Sequence, residues 1–447
     1  MHCKRSITGT IAGAITFATL APLAWADDSH GFIEDSSLTL NTRTWFSKEM
    51  ASKNSLYRYT TKDGAQTSHS RTAPVEGLKL DFRSGFTDTP VGLGLDVSVY
   101  SAIALDHSTA KAAGGSNRML VNKDGSVVDD WSKLGIAALK MRFADTQVKI
   151  GRQQVDTPMM SFFDLRALPA SFDGASLENT SVKGLTVKAG YFDHTSPRAA
   201  AGTEDLNLQW ASRTVNPDWN GYVGADYKFG DNWRASGYVS RLQDVWNRQY
   251  AGLAKQLQWG ELTTRVRVDA YNTHSEGQEL AGNISQQAYG LTITPSWGAE
   301  TVKFGLQKIV GDEWFDYVRD SNAMSLPNTM GSYFNGPNET SFQIAYTRDW
   351  AAFMPGLTSL LWYIRGWGID GTHYNGGANG AYTLATTQDN ESHYEWGAYL
   401  IYAFQSSRFK GASLAVGSNW LRTSSTTQIE GNVEEARVVL NVPFRIF

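Results

Sequence analysis

GLGLDVSVYSAIAL, running from Gly92 to Leu105, reads with a period of two. Leu93, Leu95, Val97, Val99, Ile103 and Leu105 share one face; Gly94, Asp96, Ser98 and Tyr100 share the other. Successive side chains of a strand point to opposite sides of the sheet, so one face of this segment is apolar and the other polar. Its 14 residues are long for a globular strand and suit one that crosses a membrane at a tilt and continues beyond it.

The pattern recurs. In Pro74 to Phe86, Leu78, Leu80, Phe82 and Phe86 oppose Lys79, Asp81 and Arg83. In Glu261 to His274, Leu262, Val266, Val268 and Ala270 oppose Arg265, Arg267, Asp269 and Tyr271. In Glu391 to Gln405, Tyr394, Trp396, Ala398, Leu400, Tyr402 and Phe404 oppose His393, Glu395, Gly397 and Tyr399. A soluble sandwich also alternates, but gives Trp and Tyr no reason to gather at strand ends. Aromatics at 12%, 42 glycines and a mean hydropathy of −0.34, with no long apolar run after residue 26, fit alternating strands with aromatic girdles. No blade-length repeat supports a propeller.

Strands are expected at 37–47, 74–86, 92–105, 133–143, 146–151, 182–193, 205–213, 220–229, 233–243, 246–259, 261–274, 285–297, 300–310, 340–350, 358–368, 391–405, 410–423 and 432–447. That gives 18, the even number a single-chain bacterial barrel requires, with 16 as the alternative. Tight turns at Gly230-Asp231-Asn232 and Gly298-Ala299-Glu300 contrast with long connections at 48–73, 106–132, 152–181, 311–339 and 369–390. The expected fold is an all-β transmembrane antiparallel barrel forming one domain over 27–447.

The first 26 residues read as a secretory signal: Lys4 and Arg5, an apolar run from Ile7 to Leu23, then Ala24-Trp25-Ala26 as the cleavage site. The run falls short of the ~20 residues of a membrane helix. Export then removes Cys3, leaving no thiol, so a closed hydrogen-bonded barrel rather than disulfides must hold the chain. Losing Lys4 and Arg5 takes the formal charge from −4 to −6, which argues against a nucleic-acid partner. At the other end, Val438, Leu440, Val442, Phe444 and Ile446 form an apolar face, with Phe447 in the opposite phase, on the strand that the barrel-assembly machinery reads.

Several stretches, in order, resemble the OprD family of substrate-selective outer-membrane porins. They are Gly31 to Ser36; Gly151 to Gly174 with Asp164-Leu165-Arg166-Ala167-Leu168-Pro169; Leu185 to Tyr191; Glu339 to Phe342; Asp349-Trp350; Pro355-Gly356-Leu357; and Pro443 to Phe447. The resemblance implies an 18-stranded barrel in the Gram-negative outer membrane, narrowed by an inward-folded third loop. It also implies a ladder of basic side chains guiding small carboxylates, no cofactor, and a monomer or weak trimer among membrane lipids and lipopolysaccharide.

The polar phase of the strands supplies that ladder as Arg43, Lys79, Arg83, Arg142, Arg265, Arg267 and Arg437. A charge facing lipid near the midplane costs about 2–4 kcal/mol, so the polar face is the water-filled one. Pairing with Asp81, Asp96, Glu261 or Asp269 to stiffen the wall is the competing role. The third loop contributes Asp156, Asp164, Arg166 and Asp173 as constriction residues, beside Phe162 and Phe163. The chain departs from the family at 410–423, whose middle lacks basic residues, and at Trp362, where an arginine is expected and Arg365 is displaced. With Trp45, Tyr100, Tyr271 and Tyr399 in the lumenal phase, an oligosaccharide channel like the chitoporins is the alternative, since sugars stack on aromatics.

Enzyme chemistry has no support. There is no G-x-S-x-G and no paired-acid constellation, and the histidines His69, His107, His194, His274, His373 and His393 lack metal-ligand spacing. Gly376 to Gly380 lacks the strand-to-helix setting of a phosphate cradle.

Overall fold

The computed structural model describes residues 31–53, 56–61, 64–106, 120, 128–321, 325–424 and 431–447; the expected signal segment lies outside them. Eighteen antiparallel strands form the wall. The first six are β1 (Ser37–Ala51), β2 (Ser70–Arg83), β3 (Gly92–Ala104), β4 (Asp130–Phe143), β5 (Thr146–Gln153) and β6 (Ser171–Asn179). Next come β7 (Leu185–Ser196), β8 (Asn220–Phe229), β9 (Trp233–Leu242), β10 (Trp246–Trp259), β11 (Leu262–Ser275) and β12 (Ser285–Trp297). The last six are β13 (Glu300–Val310), β14 (Thr340–Asp349), β15 (Leu357–Ile369), β16 (Glu391–Ala403), β17 (Ser413–Thr423) and β18 (Val433–Arg445).

β1 pairs with β2 from Ser37↔Arg83 to Met50↔Ser70, and with β18 from Thr39↔Arg445 to Ala51↔Val433. First and last strands thus meet and no edge remains, the condition for a sheet whose backbone polar groups must all be satisfied within lipid. Short connections lie at one end, as at Gly230 and Asn232, whose positive φ values of 48° and 65° make the tight reversal. Long loops lie at the other end.

Alternation along β3 follows the sequence reading. Val99 and Ile103 are each 40% exposed on the outside, whereas Asp96, Ser98 and Tyr100 are buried on the lumenal side. Leu95→Arg, on that outer face, is expected to cost up to about 2–4 kcal/mol, depending on depth. Urea unfolding in lipid vesicles measures it; an unchanged midpoint would place Leu95 in water.

Two expectations are corrected. Residues 205–213 are not a wall strand: only Glu204–Asp205 pairs with the wall, against β7, and Leu208 bridges Val318 of the 311–339 connection. Leu206 and Leu208 have the right spacing, but they are fully buried in an apolar cluster with Trp246, Val318 and Tyr382. Their period of two serves loop packing. Conversely, Ser171–Asn179, read as part of the 152–181 connection, is β6. Its sequence SFDGASLEN carries little apolar alternation, so tertiary pairing with β5 and β7 decides its conformation. The two errors offset each other in the strand count, and the third loop shortens to 154–170.

Candidate functional site

Four outer connections concern the bore: L3 (154–170), L4 (197–219), L7 (311–339) and L8 (370–390). L3 crosses the interior. At one wall, Arg43 of β1 donates from Nη1 to Asp164 Oδ1 at 2.5 Å and from Nη2 to Oδ2 at 3.2 Å. The same guanidinium donates to the Arg166 carbonyl at 2.8 Å and to Asn441 Oδ1 at 2.7 Å. On β2, a Cβ at Gly77 would stand 2.4 Å from the Ala167 carbonyl oxygen, so the missing side chain lets the loop backbone lie on the wall. Across the bore, Tyr271 of β11 donates to the Pro158 carbonyl at 3.2 Å, and Asn220 of β8 reaches Met160 Sδ at 3.4 Å.

L7 folds inward as well. Glu395 of β16, fully buried, accepts from the Gly331 and Ser332 amides at 2.9 and 2.6 Å and from Trp362 Nε1 at 2.7 Å. Lys303 of β13 donates to the Pro327 carbonyl at 2.6 Å, and the Ser325 amide donates to Tyr271 Oη at 2.9 Å. A bridge between Phe162 and Ser321 joins L3 to L7. Two loops, not one, fold into the bore.

The proposed ladder residues divide by partner. Lys79 lies 3.2 Å from Asp81. Arg267 pairs with Asp269 at 2.8 Å and donates to Tyr250 Oη at 3.0 Å. Arg437 makes a bidentate pair with Glu435 at 2.9 and 2.7 Å and lies 4.7 Å over the Trp45 ring. Arg142 rests 4.6 Å over Phe86. Arg83 and Arg265 have no acid partner among the described residues. Arg43 serves as the loop latch.

In L3, Asp156 accepts from Ser161 Oγ at 2.8 Å, Asp164 is held by Arg43, and Arg166 faces the vestibule 5.8 Å from the Trp45 ring. Asp173 is not in the loop. It sits on β6, paired with Arg152 at 2.7 Å, so it belongs to the wall. Tyr271 is lumenal but 2% exposed beneath L3 and L7, which makes it a loop support.

Sequence reading missed Lys140 and Lys149, both within 3.0 Å of Asp96. It also missed Arg234 and Lys303, which share the lumenal phase and stand close enough to Arg265 and Arg267 for their charges to interact. Strict application of the period would have found all four. Arg198, in L4, had no such signal.

Above the constriction is a cavity of about 350 Å³ whose walls include Arg166, Arg198, Arg437, Phe163, Trp210 and Tyr317. Arg198 stacks 4.0 Å over Phe163 and lies 3.3 Å from Asp320, without hydrogen-bond geometry. Its Nε and Nη1, and Nε of Arg166, are buried with no hydrogen-bond partner. Burial, then the neighbouring Arg198 and Arg437, push the Arg166 guanidinium down to about 9. Glu49, Asp320 and Glu435 also line the cavity and pair with Arg71, Arg198 and Arg437, which leaves Arg166 as the cation there without an acid partner among the described residues and the one that favours an incoming anion.

One carboxylate ties the outer loops. Asp316 of L7 accepts from the Gln209, Trp210 and Tyr317 amides at 2.7–3.1 Å and from the Tyr382 hydroxyl at 3.1 Å, joining L4, L7 and L8. Burial raises its carboxyl to about 6. A raised acid holds its proton in the folded state after the unfolded chain has lost it. The tie is therefore strongest below the ordinary carboxyl range and weakens as pH rises through about 6. Amide exchange at Trp210 and Tyr317, corrected for intrinsic rate, is expected to be slower at pH 5 than at pH 7.5. Asp316→Asn is expected to remove the difference; a wild-type profile flat across this range would contradict the tie.

Known proteins share this fold. The model of the family described as outer membrane porin, OprD family, matches residues 30–446. Porin D of Pseudomonas aeruginosa is 29% identical over 97% of each chain. The crystal structure of P. aeruginosa OccD3 (OpdP) superposes with a TM-score of 0.82 at 34% identity, covering 94% of each chain. P. aeruginosa OpdK, solved with vanillate, gives a TM-score of 0.80 at 25% identity over 93% of this chain and 100% of that one. A matching family model across nearly the whole chain, a closed 18-stranded wall and a bore crossed by loops lead to one assignment: the chain belongs to the OprD family of outer membrane porins.

Proposed function

We propose that this porin conducts small carboxylates and catalyses no reaction. The observation that carries the reading is the pair of arginines, Arg166 and Arg198, that line the cavity between the outer loops, each with buried N–H groups that no hydrogen bond occupies. From there Arg265, Arg267, Arg234 and Lys303 continue the positive lining below, lowering the barrier for an anion at each step. OpdK, which shares the fold, was solved with vanillate, a carboxylate. Asp164 and Arg43 act through L3, setting the width rather than touching the solute.

The oligosaccharide alternative needs an open run of aromatic rings. Trp45, Tyr100, Tyr271 and Tyr399 all face inward, yet none is more than 3% exposed, because L3, L7 and neighbouring side chains cover them. That favours the carboxylate reading. On this reading the chain enters the membrane through residues 1–26 and the C-terminal strand, and works as a monomer or weak trimer.

Transient block of single-channel current by benzoate, read against block by a neutral tetrasaccharide, tests the proposal. Benzoate is expected to interrupt the wild-type current, and Arg198→Ala to shorten those events about tenfold, in keeping with the loss of one charged hydrogen bond. Block by the sugar alone would overturn it.

A further inference from the structure

On β15, Leu360, Trp362 and Ile364 are buried toward the lumen, so Leu361, Tyr363, Arg365 and Trp367 face outward. Arg365 stands opposite Phe342 of β14 and Tyr394 of β16. Both belong to the outer face, because Ser341, Gln343, His393 and Glu395 flank them as buried lumenal residues. The surrounding rings touch one another: Phe342 with Tyr363 at 5.8 Å and with Trp367 at 6.2 Å, and Tyr363 with Tyr394 at 6.2 Å. Trp396 stacks on Trp420 at 4.0 Å in continuation. An aromatic shelf therefore covers the outer surface of β14 to β17, and one exposed guanidinium stands inside it.

Arg365 has no hydrogen bond, ion pair or ring contact among the described residues. The next outward cation in the same row, Arg422, opposite Tyr394, is neutralised by Glu434. Arg365 lies four residues below the loop end of β15, so its side chain can extend to headgroup level on the outer-leaflet side. An uncompensated guanidinium there, flanked by the hydroxyls of Tyr363 and Tyr394 and above apolar rings, matches a ligand with an anionic head and acyl chains.

We propose that Arg365 and this shelf bind one phosphorylated glycolipid of the outer leaflet, the phosphate held by the guanidinium and the acyl chains laid over Tyr363, Tyr394 and Trp396. The planar fork of arginine suits phosphate, and the rings suit the acyl boundary. This rests on the outer-membrane placement of the barrel and is independent of which solute it carries.

Native mass spectrometry of the full barrel in zwitterionic detergent tests it, with bisphosphorylated lipid A as probe. Wild type is expected to retain one lipid at least fivefold more than it retains dephosphorylated lipid A. Arg365→Ala is expected to lose that preference and Arg365→Lys to keep part of it, with heat-modifiable gel mobility confirming that each variant folds. Equal retention of the two lipids by wild type overturns the proposal, and so does unchanged retention by a folded Arg365→Ala. If wild type instead forms lipid-free oligomers that Arg365→Ala abolishes, the face is an interface between copies and the lipid site is wrong. Should Arg365→Ala not fold, the comparison of the two lipids on wild type decides alone.

Discussion

Arg43→Ala is expected to widen the channel, raising single-channel conductance at least twofold. The Arg43 guanidinium is the hub of the L3 attachment, donating to both oxygens of Asp164 and to the Arg166 carbonyl. Side-chain exposures of 15% and 5% place the pair largely out of water. Removing one member of such a pair costs about 3–5 kcal/mol, because the other is left charged and buried. The cheapest relief is for Asp164 to leave the wall and take the loop with it. The barrel should survive, since its closure at β1–β18 rests on backbone pairing from Thr39↔Arg445 to Ala51↔Val433 and loses only the Arg43–Asn441 side-chain bond. Planar-bilayer recording checks the conductance, and protease cleavage within 154–170 checks the loop. Wild-type conductance in a folded Arg43→Ala barrel would mean that L3 is held from its Tyr271 end instead.

The second large effect is on selectivity. Arg267 is tied to Asp269, which is 1% exposed, so its substitution would disturb the wall. Arg265 has no such tie, yet stands beside Arg267 and Arg234. Arg265→Glu therefore changes the local charge by two without stranding a partner. The expected result is a several-fold drop in anion over cation permeability with conductance nearly unchanged, read from reversal potentials in a salt gradient. Screening by salt shrinks the effect, so the gradient should be kept near 0.1 M, where the Debye length is about 10 Å. An unaltered ratio would place the selective step above this column, at Arg166 and Arg198.

Much of this was legible in the sequence, and the reason is geometric. In a barrel, every wall residue chooses lipid or lumen, so the period of two in 92–105, 261–274 and 391–405 translates directly into faces. The failures fall where that choice does not operate. Leu206 and Leu208 alternate for the sake of loop packing, and β6 pairs without an apolar face. Asp173 followed from that error, since a residue placed in a loop was in fact on a strand. L3 was recognisable only through its resemblance to a family. The inward fold of L7 has no period at all: it depends on Glu395 accepting two amides from a loop some 60 residues earlier. The covering of Tyr271 and Tyr399 is likewise invisible in sequence, because strand phase shows which way a ring points but not what lies on top of it.

Phase also misled by omission. Trp362 occupies the lumenal position and stacks on Tyr399 at 5.6 Å, while Arg365 falls on the opposite face. On that face β15 places no cation in the bore, and the basic side chains of the lumenal phase lie across β2 to β5 and across β9 to β13.

Whether the bore guides anions is read from the zero-current potential of the wild-type channel across a bilayer with a tenfold gradient of potassium chloride. The expected potential has the sign set by chloride crossing faster than potassium, and it moves further that way in Asp226→Asn, which removes the β8 carboxylate that accepts from the buried Tyr238 hydroxyl at 2.6 Å. A potential of the opposite sign would contradict anion guidance.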